Sequence, residues 1–219
     1  MGSEEINSTV DEVKSTFNLK KEVFEWFYTI VIALLIAFII KGFLFDLVVV
    51  DGPSMYPTLV HGDRLVITKL NYEPEQQDII VLDSTYKNRT DYYDEIGDLN
   101  MAEKAIEYFK LPKNLKRKYY VKRIIGMPGQ VVDIVNGKVT VDGEILDEPY
   151  YEGETFTYDS NVKFPFTVSE DCVFVMGDNR PQSKDSRSSE LGEVPIDAIL
   201  GKCSVRIWPP KSVGMIDHD

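Results

Sequence analysis

Two segments of the chain carry side chains suited to nucleophilic catalysis. Gly52-Pro53-Ser54-Met55-Tyr56-Pro57-Thr58-Leu59 sets a serine beside a glycine and two prolines. Such residues impose tight turns and can present a hydroxyl on a fixed, exposed bend. Tyr119-Tyr120-Val121-Lys122-Arg123-Ile124-Ile125-Gly126-Met127-Pro128-Gly129 places Lys122 in an aromatic and β-branched run. A lysine held neutral can take the proton of a serine hydroxyl, and burial in apolar surroundings is the usual means. Taken singly, each segment has a plainer reading: a turn for Ser54, a solvent-facing strand residue for Lys122. Other chemistries are poorly supplied. There are two histidines, His61 in a turn-like V-H-G-D stretch and His218 near the terminus, so a Ser-His-Asp triad has no well-placed imidazole. The two cysteines, Cys172 and Cys203, form no C-x-x-C, and no H-E-x-x-H occurs, so neither a metal nor another cofactor is expected. A formal net charge of -12 argues against nucleic acid as a partner.

These residues need elements to position them. Trp26 to Ile40 is uncharged and apolar on every face, and Gly42-Phe43-Leu44-Phe45 continues beyond Lys41. A helix from Trp26 to Phe45 would reach about 30 Å, enough for a bilayer core. Lys41 can snorkel at one end, and Trp26 and Tyr28 suit the interface at the other. No small-residue cleavage site follows, so the segment reads as an uncleaved anchor. Lys14, Lys20 and Lys21 precede it closely, which puts the N-terminus inside and everything after Phe45 outside. The expected organisation is a cytoplasmic segment over 1–22, a transmembrane anchor over 23–45 and an extracytoplasmic domain over 46–219. An oxidising exterior permits a Cys172–Cys203 disulfide, although both lie in strand-like stretches that favour two separate thiols.

Beyond the anchor the period changes. Leu47–Val50, Arg64–Ile67, Asp78–Leu82, Cys172–Met176 and Lys202–Ile207 are short β-branched runs. Asn136-Gly137 and Asp142-Gly143 are two-residue hairpin signals, because type I′ turns need positive φ at both positions. The fold class is therefore mainly β, an antiparallel domain behind one N-terminal helix. Residues 84–118 depart from this as a polar insertion, with one short helix predicted over Met101–Phe109. Asn88-Arg89-Thr90 within it matches a glycosylation sequon.

Taken together, S-M-Y-P-T-L, G-D-R-L-V-I-T-K (Gly62 to Lys69), K-R-I-I-G-M-P-G and G-D-N-R-P-Q-S-K-D-S-R (Gly177 to Arg187) resemble, in order, the boxes of the type I signal peptidase family. The resemblance runs from the anchor through Arg206-Ile207-Trp208-Pro209. It implies a Gram-positive-like serine endopeptidase that removes signal peptides from exported preproteins at the outer face of the cytoplasmic membrane, after A-x-A. It further implies Ser54 as nucleophile, Lys122 as general base and Ser183 as the hydroxyl that orients the lysine amine. Asp178 with Arg123, and Asp185 with Arg187, would brace the site. Val50, Met55, Leu59, Tyr120 and Val121 would line shallow substrate pockets, with Leu47–Val50 free to pair with the substrate strand. Some members place a serine two residues before the nucleophile; here Gly52 has no side chain and Pro53 no N–H, leaving the Ser54 amide as oxyanion donor. Partners would be preproteins and membrane lipid. Three rivals remain: a non-catalytic β binding module on an anchor, a self-cleaving repressor of the Ser-Lys type, and a peptidase dedicated to one substrate such as a pilin. The repressor would need a DNA-binding domain where the apolar span stands.

Overall fold

The computed structural model describes residues 19–69, 72–97 and 99–216, with side chains described from 21 onward except over 38–43. The expected cytoplasmic residues 1–18, the side chains of Lys20 and Lys41, and His218 lie outside these. Two compact units meet between Leu44 and Phe45.

The first unit holds helix α1 (Leu19–Phe43), 25 residues long. Its described apolar side chains are exposed, Phe24, Trp26 and Leu34 among them. Among the described residues no helix is long and apolar enough to cross a membrane.

The second unit is mainly antiparallel β with few helices. In chain order it contains β1 (Phe45–Val49), β2 (Arg64–Thr68), β3 (Ile79–Asp83), helices α2 (Tyr86–Ile96) and α3 (Met101–Lys110), then β4 (Tyr119–Gly126). The strands β5 (Val131–Val135), β6 (Lys138–Val141), β7 (Glu144–Ile145) and β8 (Phe166–Thr167) follow. The remainder is β9 (Cys172–Met176), β10 (Val194–Pro195), β11 (Ile199–Trp208) and β12 (Gly214–Met215). One sheet runs β1-β2-β11-β3-β4-β9-β10, with β12 on β11; a smaller one runs β7-β6-β5-β8. The smaller sheet is folded by the two hairpin dipeptides. Val135 pairs with Lys138 across Asn136 (φ 51°) and Gly137 (φ 77°), and Val141 with Glu144 across Asp142 (φ 53°) and Gly143 (φ 86°). These are the paired positive φ values that type I′ turns require.

The insertion holds two helices, not the one predicted. Helix α3 has the expected apolar period and a capping box: Asn100 Oδ1 accepts from the amides of Ala102 and Glu103, and Glu103 Oε2 accepts from the Asn100 amide. Helix α2 has no such pattern. It is tied instead to the end of β3, where buried Arg89 donates from Nη2 to Asp83 Oδ2 at 2.5 Å and Thr85 Oγ1 donates to Asp83 Oδ1 at 2.8 Å. Those bonds hold the Asp83 carboxyl below its ordinary range against the opposing effect of its burial. Arg89 is also the middle residue of the sequon, which therefore sits on a helix with that side chain buried.

One core cluster gathers Val50, Met55, Leu59, Leu65, Ile67 and Cys203, with Val48, Val121 and Leu200 packed on it. Cys172 packs on a different cluster, around Phe174, and both cysteines are free thiols.

Candidate active site

The Ser54 turn is fixed from several directions. It closes on itself through Tyr56 N to Pro53 O (3.0 Å) and Leu59 N to Met55 O (2.8 Å). Gly52 enters it at φ 98°, a conformation open to glycine, and its amide donates to Nδ1 of exposed His61 at 3.2 Å. From the far side the Asn179 amide donates to the Ser54 carbonyl, and Asn179 Nδ2 to the Pro53 carbonyl, each at 3.1 Å. Gly177 permits this approach, since a Cβ there would overlap the Ser54 carbonyl oxygen and Ser183 Oγ. The Ser54 amide itself is taken by no protein acceptor among the described residues.

Strand β4 brings Lys122 to this turn. The side chain is buried, and its Nζ lies 2.8 Å from Ser54 Oγ and donates to the Val121 carbonyl at 2.9 Å. As an ammonium it donates to the serine; as a neutral amine it accepts from the hydroxyl, which is the direction a general base needs. Burial pushes the Lys122 amine down to about 8, against the attraction of the Asp185 and Asp178 carboxylates and with some help from Arg187.

Arg123 with Asp178, and Arg187 with Asp185, form buried ion pairs. Arg123 donates from Nε and Nη2 to the two oxygens of Asp178, each at 2.9 Å, and its guanidinium lies 3.7 Å from the centre of the Tyr150 ring. Asp178 also accepts from Thr58 Oγ1 at 2.5 Å, which ties the far end of the Ser54 turn to the same carboxylate. Arg187 donates from Nε and Nη2 to Asp185 at 2.9 and 2.8 Å, and Asp185 Oδ2 accepts from the Gly177 amide at 3.1 Å. Such two-point pairs fix orientation as well as charge.

Two expected placements come out differently. Ser183 is buried beside Gly177, but its Oγ has no hydrogen-bond partner among the described residues; the second contact of the lysine amine is the Val121 carbonyl. That carbonyl belongs to the residue before Lys122, on the stretch of β4 that β9 leaves uncovered, so it is within reach without any third segment. Leu59 is fully buried in the core and is not among the residues that line the cleft beside Ser54, because the turn over Met55–Leu59 rotates it inward. Asn179 and Thr58 were not singled out from the sequence. Both lie inside quoted boxes, which was the only signal available for them.

Ser54 and Lys122 line a cleft of about 490 Å³. Its walls are residues 46–51 and 119–122, with Met55 and Leu200. Val50, Met55, Tyr120 and Val121 all contribute to it. β1 is an edge strand, and Tyr119–Lys122 pairs with β3 on one side only, since β9 joins β4 from Arg123 onward. The cleft thus runs between two unpaired strand edges. Among the described residues no group of His, Cys, Asp and Glu could hold a metal ion.

The family model described as "Signal peptidase, peptidase S26" matches residues 23–208. Signal peptidase I of Bacillus licheniformis is 33% identical over 215 residues, covering 94% of this chain and 99% of that protein. Signal peptidase I S of Bacillus subtilis (strain 168) is 34% identical, covering 87% and 91%. Signal peptidase IB of Staphylococcus aureus (strain COL) is 31% identical, covering 87% and 92%. A family match that begins inside helix α1 and ends on the last residue of β11, with relatives aligned along nearly their whole lengths, shows that the chain belongs to the signal peptidase family, peptidase S26.

Proposed function

We propose that the chain is a type I signal peptidase, a membrane-anchored serine endopeptidase that removes N-terminal signal peptides from exported preproteins. Ser54 Oγ attacks the carbonyl carbon of the scissile peptide, and Lys122 Nζ takes the hydroxyl proton. The Ser54 N–H stabilises the oxyanion. The C–N bond then breaks as the lysine ammonium returns its proton to the leaving amine. A water deprotonated by the same amine hydrolyses the acyl-enzyme, restoring Ser54. With its amine at about 8, roughly a tenth of the Lys122 side chain is neutral at pH ~7. The 2.8 Å contact between a buried lysine amine and the serine hydroxyl carries this reading.

An extended substrate fits between the edges of β1 and β4 by strand addition. Val50, Met55 and Val121 give the cleft an apolar floor, and cleavage after A-x-A requires such a floor to admit methyl groups and exclude larger side chains by overlap. Ser183 supplies a hydroxyl beside the catalytic turn that orients the amine during turnover. Helix α1 anchors the enzyme in the membrane with the peptidase domain outside. The test is cleavage of a preprotein bearing an A-x-A site by the full chain, Ser54→Ala and Lys122→Met. Both variants should be inactive, and activity in either would reject the dyad.

A further inference from the structure

Next to the catalytic cleft lies a second cavity, of about 540 Å³. Lys113, Lys116 and Lys118, from the end of the insertion, line it together with Lys184, the neighbour of Ser183. Its one acidic wall residue, Glu190, is paired with Lys184. None of the ion pairs among the described residues involves Lys113, Lys116 or Lys118. In a chain of net charge -12 this is a local concentration of uncompensated positive charge in a concave wall, which selects for anions.

The cavity is not separate from the cleft. Tyr120 lines both, with Lys122 Nζ 5.3 Å and Lys118 Nζ 5.1 Å from the centre of its ring. Lys118, Tyr120 and Lys122 alternate along the strand direction and share one face, while Val121 turns to the apolar floor with Val48 and Leu200. A substrate strand in the cleft must alternate in the same way. If the small side chains at P1 and P3 enter the floor, those at P2 and P4 turn to the Tyr120 side. At ~3.3 Å per residue, P4 stands about 10 Å upstream of P1, on the Tyr120 side that the lysine-lined cavity shares.

We propose that the lysine-lined cavity is a specificity subsite that takes a carboxylate side chain at P4 of the preprotein. The inference rests on the peptidase reading and adds a preference that a small-residue cleft alone does not provide. Exposed lysines act through a screened field, so the effect on kcat/KM is modest and falls with salt.

The test compares two preprotein-derived substrates that share an A-x-A site and carry Glu or Ala at P4. The full chain is assayed in detergent at low and high salt, alongside Lys113→Gln/Lys116→Gln. The Glu substrate should be favoured about fivefold in kcat/KM at low salt, the size two exposed charge pairs supply. The ratio should fall toward one at high salt and in the double variant, with the Ala substrate cleaved equally by both proteins. A ratio at or below one in the unmodified enzyme, or a preference that survives in the double variant, overturns the subsite. So does a double variant that loses affinity for phosphatidylglycerol vesicles while keeping its P4 preference, because the lysines would then serve a lipid headgroup. Failure to cleave either substrate rejects the peptidase reading instead, so the two failures are distinguishable.

Discussion

Replacing Lys122 with methionine should abolish cleavage and at the same time stabilise the fold near neutral pH, by an amount that shrinks as pH rises. In the unfolded chain the amine titrates at 10.5; in the folded protein burial lowers it to about 8. Above the first value both states are neutral and the buried amine costs nothing in charge. As pH falls toward about 8 the unfolded state binds the proton more readily, so the folded state loses ground. Below about 8 both are charged and the full penalty, about 3 kcal/mol, is present. Methionine is unbranched, of similar length, and carries no charge. It forfeits the contacts to Ser54 Oγ and the Val121 carbonyl, worth about 1 kcal/mol each and nearly constant over this range. The stability of Lys122→Met relative to the parent should therefore be greater at pH ~7 than at pH ~9.5 by about 2 kcal/mol. Urea unfolding of both full-length proteins at the two pH values measures this, and groups common to both cancel in the difference. A difference independent of pH, or one that grows as pH rises, would refute the claim that burial lowers the amine.

The activity of the unmodified enzyme should follow the same group. The rate, read as kcat/KM on a preprotein substrate, should rise with pH through about 8 as Lys122 loses its proton. Ser54→Ala should lower kcat by three or more orders of magnitude while leaving urea stability within about 1 kcal/mol. Asp178→Ala removes the carboxylate that takes two bonds from the buried Arg123 guanidinium and one from Thr58, so it should cost about 3 to 5 kcal/mol in unfolding experiments. Ser183→Ala removes a buried hydroxyl that has no hydrogen-bond partner among the described residues. It should be neutral or stabilising by about 1 kcal/mol, with kcat reduced and KM unchanged if the hydroxyl orients the amine only during turnover.

Local chemistry made part of this protein legible from its sequence. Asn136-Gly137 and Asp142-Gly143 dictate their hairpins because so few residues accept positive φ twice in succession. The helix Met101–Lys110 is written in an apolar period and a capping box that needs no distant partner. The segments around Ser54 and Lys122 were recognisable as boxes, and Arg123, Asp178, Asp185 and Arg187 came with them. Helix Tyr86–Ile96 was not legible, because a buried ion pair with Asp83, outside the helix itself, holds it down. Leu59 and Val50 look alike in sequence and both pack in the core, and only the tertiary structure puts Val50 at the cleft wall as well. The site itself belongs to the tertiary structure. Ser54 and Lys122 are 68 residues apart, and neither is chemically unusual until the sheet brings them within 2.8 Å. Residue types supply a hydroxyl and an amine; only burial, which packing creates and no local pattern encodes, lowers the lysine enough to make it a base.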